Sequence, residues 1–200
     1  MNKEELHSYI SESKGNESNI CQIYAIRDEE IVYEDSWRGF KAEDPVNVNS
    51  VTKGVMAILA GIAVDTGAIK SLDEKVINFF PDYQVKRGEK TIYDVTIKHL
   101  LTMTAPYKGK SEPWKKVCTS EDWTKAALDF LGERFGFMEY GYLWYKPYEN
   151  KEVYAAIGDS GNIIYVNKEK NVSVGVTGTF KPRIFDRVEF IEKKVLPLIV

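Results

Sequence analysis

The chain has 200 residues, a hydrophobic fraction of 44% and a formal net charge of -3. A chain of this length and composition can bury one hydrophobic core, so we expect a single domain. Lysines and carboxylates are interspersed without a basic stripe, which excludes an electrostatic reason for nucleic acid binding.

The N-terminal residues are polar and acidic, and no stretch of the sequence is apolar enough to cross a bilayer. We therefore expect a cytoplasmic protein that does not bind a membrane. Cys21 and Cys118 lie far apart in the sequence, and free thiols are expected in that compartment. No cluster of His, Cys and carboxylate residues has the spacing of metal ligands, so we expect neither a metal nor another cofactor.

The chain begins with a helix signal followed by strand signals. Apolar residues predict a short helix over 4–13, and polar residues predict a turn at 15–19. Two strands over 20–26 and 31–37 are separated by a charged turn, which predicts a hairpin.

The segment 47–67 predicts the helix around which the rest of the chain is organised. Ser50 and Lys53 lie in its first turn and, being three residues apart, stand side by side. The large apolar residues that follow recur at helical spacing and predict a buried face. They are Val55, Ile58, Leu59 and Ile62.

A serine beside a lysine at a helix N-terminus has a chemical use. A lysine dehydrated against an apolar helix face gives up its proton more easily and can then take one from the serine. The free N–H groups and the positive dipole end of the helix stabilise a developing oxyanion. We therefore interpret Ser50 as a nucleophile and Lys53 as its base. The other interpretation is a simple N-cap with a solvated lysine.

The Ser-x-x-Lys spacing also occurs at Ser11 and Lys14. That segment is polar, and no apolar helix follows it to bury the lysine. We interpret this second pair as solvated surface.

The middle of the chain predicts helices. Thr96 is expected to cap a helix with Ile97, Leu100 and Leu101 on its buried side, and we interpret His99 as a structural residue of that helix. A loop is expected over 106–113, and Ser120 is expected to cap a third helix. That helix carries Trp123, Ala126, Ala127, Phe130 and Leu131.

The last third predicts strands over 140–145, 153–157, 163–166 and 172–177. An amphipathic helix over 183–198 ends the chain, and its inward residues are Phe185, Val188, Ile191 and Val195. An early hairpin, a helical middle, late strands and a terminal helix together predict an α+β fold. Its antiparallel sheet has about five strands, with helices packed against it.

Three blocks of the sequence, in this order, resemble the serine beta-lactamase-related superfamily. They are Ser50-Val51-Thr52-Lys53 with its helix, residues 67–76 and residues 96–105. The similar branch contains class C beta-lactamases, DD-peptidases and esterases. The resemblance implies a sheet with the N- and C-terminal helices on one face and a helical subdomain on the other.

In this chain the sheet parts are 1–46 and 138–200, and a reduced helical part is 47–137. Together they are expected to form one domain over 1–200. The active site of the family lies between the two parts.

The resemblance extends to the late strands. Asp159, Ser160 and Gly161 would occupy the place of a Lys-Thr-Gly or His-x-Gly triplet that lines the cleft. Gly161 would let substrate approach the strand backbone, and the N–H of Asn162 would join that of Ser50 as an oxyanion hole. The interpretation without a function is a glycine-rich bend in an edge strand.

Asp159 departs from the family pattern, which has a cationic or neutral triplet there. An aspartate would repel a substrate carboxylate by about 1 kcal/mol or more. We therefore expect an uncharged ester or amide as the small-molecule substrate, rather than a penicillin or a peptide C-terminus.

A second departure is the family's Tyr-x-Asn motif, whose segment is deleted from this chain. Tyr148-Glu149-Asn150 matches its letters, but a hairpin turn after Pro147 is the simpler interpretation. Tyr142 and Tyr107 are further phenols without specific support. Ser50 and Lys53 could work alone, as in known Ser-Lys hydrolases, or the second subunit of a homodimer could supply the missing wall.

The prediction is a serine hydrolase that forms an acyl-enzyme through Ser50 with Lys53 as base. The alternative is a catalytically inactive relative that uses the fold for binding or structure.

Overall fold

The computed structural model describes residues 1–105, 113–131, 141–184 and 187–200. Two compact units make up the chain. The first combines Met1–Met56 with Trp144–Val200, and the second is Ala57–Leu143. The organisation as one domain stays a prediction.

One antiparallel sheet forms the centre of the first unit. Its strands are β1 (Ile20–Arg27), β2 (Glu30–Ser36), β3 (Val153–Gly158), β4 (Asn162–Asn167) and β5 (Val172–Gly178). Their order across the sheet is β2-β1-β5-β4-β3, so β3 is an edge strand. The predicted α+β fold with about five antiparallel strands is confirmed.

Helices lie before, between and after the strands. They are α1 (Lys3–Glu12), α2 (Val51–Asp65), α3 (Ile97–Leu101), α4 (Pro113–Cys118), α5 (Trp123–Phe130) and α6, which consists of the consecutive segments Val188–Phe190, Ile191–Val195 and Leu196–Ile199. The middle segment of α6 is π-helical. Short 3-10 turns occur at Asn16–Asn19, Val76–Phe79, Thr91–Asp94 and Asp159–Gly161.

The first and last helices cover one face of the sheet. Leu6 and Ile10 from α1 and Ile191 and Val195 from α6 are completely buried. They pack in one cluster with the sheet residues that share a face with Ala155. Burial alternates along β5, as period-two patterning requires. The two terminal helices therefore lie on the same face, as predicted.

The second unit has a smaller apolar core. Its buried members are Val76, Ile92, Val95, Ala105, Leu128 and Leu131. Thr96 caps α3 as predicted, since its hydroxyl accepts the N–H of His99 at 3.3 Å. The ring Nδ1 of His99 in turn accepts the N–H of Thr96 at 3.0 Å. His99 thus has the structural role that the sequence indicated.

Two predicted elements of the middle region are wrong. Residues 141–145 form isolated bridges and turns rather than a strand, because Tyr142 and Leu143 have positive φ angles of 51° and 65°. Asp122, not Ser120, caps α5 by accepting the N–H of Lys125 at 2.8 Å. In α5, Trp123 is 61% exposed and Leu128 is buried.

Several predictions fall wholly or partly outside the described residues. The loop predicted over 106–113 lies there except for Pro113, which begins α4. The terminal helix was predicted to begin at 183, but α6 begins at Val188. Arg183 has a φ angle of 70°, which is incompatible with a right-handed helix. Residues 185–186, and with them Phe185, are not described.

The buried face predicted for α2 is also wrong. Val55, Ile58, Leu59 and Ile62 are between 40% and 52% exposed. The buried residues of this helix are Val51 and Gly54, in its first turn. Helical spacing shows which residues share a face, but it does not show what covers that face.

In the described ranges, no helix has both the length and the apolarity that a bilayer span requires. Cys21 is buried, Cys118 is exposed, and both are free thiols. The described residues contain no group of three His, Cys, Asp or Glu side chains that could hold a metal ion.

The sheet face in contact with the terminal helices predicts a difference between two isoleucines of the hairpin. Ile23 is completely buried, whereas Ile31 is 58% exposed. Ile23→Ala should lower the free energy of unfolding by about 2–5 kcal/mol. Ile31→Ala should change it by no more than about 0.5 kcal/mol. Urea unfolding followed by circular dichroism measures both, and equal losses would contradict the assignment of faces.

Candidate active site

The structure brings Ser50 and Lys53 into direct contact. Lys53 Nζ donates a hydrogen bond to Ser50 Oγ at 2.7 Å. Ser50 immediately precedes α2, and its carbonyl accepts the N–H of Lys53 at 3.0 Å. The first helical turn therefore fixes the spacing of the two side chains.

The environment of Lys53 differs from the expectation. Lys53 is exposed, and so are the large apolar residues that follow it on α2. The helix face therefore does not dehydrate the amine, and that part of the prediction is wrong. The contact between the Lys53 amine and the Ser50 hydroxyl does not depend on burial of the helix face.

Gly158, the last residue of β3, touches the backbone just before α2. A Cβ atom built on Gly158 would lie 2.4 Å from the carbonyl oxygen of Val48 and 3.1 Å from the nitrogen of Ser50. No other residue fits at this distance, so glycine is required for the strand to reach the candidate nucleophile. Gly158 was not among the predicted site residues, although a glycine directly after the strand predicted over 153–157 was the available signal.

A second close approach lies one turn into α2. A Cβ atom on Gly54 would lie 2.6 Å from the Cβ of Ala156 in β3. Trp144 donates its indole N–H to the carbonyl oxygen of Gly54 at 3.2 Å. The start of α2 is therefore pressed against the edge strand, and neither Gly54 nor Trp144 was predicted to contribute.

The Asp159–Gly161 turn is tied to the residue before the candidate nucleophile. Asn49 donates its side-chain N–H to the carbonyl oxygen of Asp159 at 3.2 Å. The Asn162 side chain donates to the same oxygen at 2.7 Å. Asp159 itself is exposed, so its carboxylate can act on an approaching ligand.

Ser160 and Gly161 are turned away from Ser50, toward the interior of the first unit. Ser160 is 2% exposed, and its hydroxyl accepts the N–H of Lys181 at 2.9 Å. A Cβ atom on Gly161 would lie 2.6 Å from Arg187 Nε. The prediction that Gly161 opens the strand to substrate is wrong, because the Arg187 side chain fills that space.

The predicted oxyanion donor also changes. Ala155 exchanges both backbone hydrogen bonds with Tyr145, at 2.8 and 2.9 Å, so it faces the outer edge of the sheet. Backbone groups alternate along a strand, so Gly158 faces inward to its register partner Asn162. The N–H of Asn162 is therefore used within the hairpin. Gly158 is extended, and the next outward N–H is that of Asp159.

The Ser50 N–H is the other candidate donor. Within the described part of the chain, it donates to no backbone acceptor. A free N–H at the start of a helix is suited to an oxyanion.

Tyr148, whose segment matches the letters of the family's tyrosine motif, contacts the terminal helix α6. Its hydroxyl donates to Glu192 Oε2 in α6 at 2.7 Å. It packs with the core cluster on the α6 side of the sheet. Ala156, which contacts α2, points to the opposite side. Tyr142 belongs to the second unit and its role stays a prediction, while Tyr107 lies outside the described residues.

Comparison with protein families identifies the family to which the chain belongs. The family model described as Beta-lactamase matches residues 21–150, which include Ser50 and Lys53. The chain belongs to the beta-lactamase family. Members of this family are serine hydrolases, and the resemblance inferred from the sequence is confirmed.

A solved structure from Bacillus anthracis that carries the name 6-aminohexanoate-dimer hydrolase has a similar fold. The TM-score is 0.56 and the sequence identity is 9%, and the match covers 80% of this chain and 74% of that chain. At this identity the similarity shows the fold alone. No curated protein matches the sequence.

The packing of α2 on β3 predicts opposite effects for two glycines of this beta-lactamase-family helix. Gly54→Ala should destabilise the protein by about 1–3 kcal/mol, because the added methyl group meets Ala156. Gly61 has no neighbour within 4 Å of a built Cβ. Gly61→Ala should stabilise the helix by roughly 0.5–1 kcal/mol.

Thermal unfolding of the two variants checks this. Adding Ala156→Gly to Gly54→Ala should restore most of the lost stability. A stabilising Gly54→Ala would contradict the close approach.

Proposed function

We propose that this member of the beta-lactamase family is a serine hydrolase that cleaves an ester or amide through an acyl-enzyme. Ser50 is the nucleophile and Lys53 is its base. The observation that carries the proposal is the 2.7 Å hydrogen bond between Lys53 Nζ and Ser50 Oγ.

The proposed reaction has two steps. Ser50 Oγ attacks the substrate carbonyl carbon while a neutral Lys53 amine takes the hydroxyl proton. The N–H groups of Ser50 and Asp159 hold the resulting oxyanion. As the tetrahedral species collapses, the leaving alcohol or amine takes the proton from Lys53. Water then attacks the acyl-enzyme while Lys53 accepts its proton, and Lys53 returns that proton to Ser50 Oγ as the acid is released.

Because Lys53 is exposed in the free protein, the proposal requires the bound substrate to shield its amine from water. A hydrated ammonium group holds its proton, so the amine must lose water before it can act as a base. We propose that the bound substrate covers Lys53 and excludes that water. Large apolar substrates should therefore react better than small ones.

Asp159 favours an uncharged substrate. Its exposed carboxylate follows Gly158, which touches the backbone of Ser50. A substrate carboxylate held nearby would be repelled by about 1 kcal/mol.

A second candidate function is binding without catalysis. It is favoured by the exposure of Lys53, which leaves the amine hydrated in the free protein. The two candidates differ in whether the protein shows turnover that depends on the Ser50 hydroxyl.

Ser50→Ala should abolish hydrolysis of p-nitrophenyl esters, and Lys53→Met should lower kcat by about 10²–10⁴-fold because the base is lost. The matched controls are Ser11→Ala and Lys14→Met, which alter the other Ser-x-x-Lys pair, where Ser11 is exposed in the last turn of α1 and Lys14 is exposed just after it. Both controls should retain the original rate. Turnover that persists in Ser50→Ala, or its absence from the unaltered protein, would remove the hydrolase proposal in favour of binding.

Asp159→Asn should widen the substrate range. The rate for an ester with a terminal carboxylate should rise about fivefold, the equivalent of about 1 kcal/mol, while that for the uncharged ester of equal length stays constant. The measurement is kcat/KM for both esters after subtraction of the uncatalysed rate. An equal change for both esters would show that charge repulsion is not the cause of the preference.

A further inference from the structure

Two buried polar side chains of the first unit meet behind the Asp159–Gly161 turn. Asn19 is 4% exposed and Arg187 is 3% exposed. Arg187 Nη2 donates to Asn19 Oδ1 at 2.6 Å. Burial lowers the pKa of the Arg187 guanidinium to about 10, so the group is still charged at neutral pH. A buried charge is retained only where its hydrogen bonds are made.

Each of these two side chains also donates to the turn, and Asn19 Nδ2 donates in addition to the carbonyl oxygen of Thr179 at 2.7 Å. Arg187 Nε donates to the carbonyl oxygen of Gly161 at 3.0 Å. Asn19 Nδ2 donates to the carbonyl oxygen of Ser160 at 2.9 Å. These hydrogen bonds fix two consecutive peptide planes of the turn, and the side chains that donate them lie outside β3 and β4.

The turn needs such support because its backbone is strained. Ser160 has a φ of 69° and Gly161 a φ of 73°, so two consecutive residues are left-handed. For a serine this conformation costs about 1–2 kcal/mol. Strained residues persist where the surrounding structure holds them. The residue that begins the turn is Asp159, whose N–H faces outward toward the edge of the sheet.

We propose that Arg187 and Asn19 are positioning residues that hold the Asp159 N–H at the oxyanion site. They touch no reacting atom and act through the carbonyl groups of Ser160 and Gly161. The inference rests on the proposed function and extends it to two residues at the opposite ends of the first unit's sequence. A donor displaced by about 1 Å lowers the rate by as much as 10²-fold.

The test removes the donors to the turn from each side. Asn19→Asp retains an acceptor for Arg187 but removes the donors to Ser160 and Thr179, so kcat should fall by about 10–100-fold. KM for an uncharged ester should stay within about twofold, since the oxyanion forms only in the transition state. Arg187→Met should lower kcat to a similar extent, and Arg187→Lys, which keeps one donor, should restore part of the loss.

The matched control is Arg27→Met. Arg27 Nη1 donates to the carbonyl oxygen of Ile199 at 3.1 Å, and thus ties α6 to β1 without contact to the turn. This variant should lose stability but keep its kcat. Amide hydrogen exchange of Asp159 should become faster in Asn19→Asp and remain constant in Arg27→Met.

The outcomes separate the two proposals. If the unaltered protein lacks Ser50-dependent turnover, the proposed function fails and the positioning role fails with it. If the unaltered protein is active, an unchanged kcat in Asn19→Asp overturns the positioning role alone. A kcat loss in Arg27→Met as large as that in Asn19→Asp would also overturn it, because general destabilisation would then explain both.

Discussion

The position of Ser50 beside the end of the edge strand β3 depends on how closely the start of α2 approaches that strand. Two glycines, Gly54 and Gly158, remove the side chains that would separate helix from strand. The helix begins beside the end of the strand, so the backbone of Ser50 lies next to Gly158. The proposed acyl transfer relies on this arrangement.

Features set by local sequence could be predicted. Residues three apart in a helix must lie side by side, so the pairing of Ser50 with Lys53 followed from spacing alone. The hairpin, three of the four late strands and the cap of α3 at Thr96 also followed from period and residue type.

Features set by tertiary contacts could not be predicted. Asn162 and Asp159 are only three residues apart, but strand pairing decides which N–H faces the hairpin and which faces outward. Gly158 and Gly161 are both glycines, and only the position of the Arg187 side chain shows that the space beside Gly161 is occupied. The exposure of Lys53 could not be predicted either, because periodicity identifies the apolar face of α2 but does not show which surface, if any, covers that face.

The central claim is that the Ser50 hydroxyl becomes acylated. The most direct measurement is mass spectrometry of the protein quenched in acid shortly after mixing with p-nitrophenyl acetate. The account predicts a mass increase of one acetyl group on the peptide that contains Ser50, and its loss on longer incubation. Acetylation that occurs only on surface lysines, at the same rate in folded and unfolded protein, would contradict it.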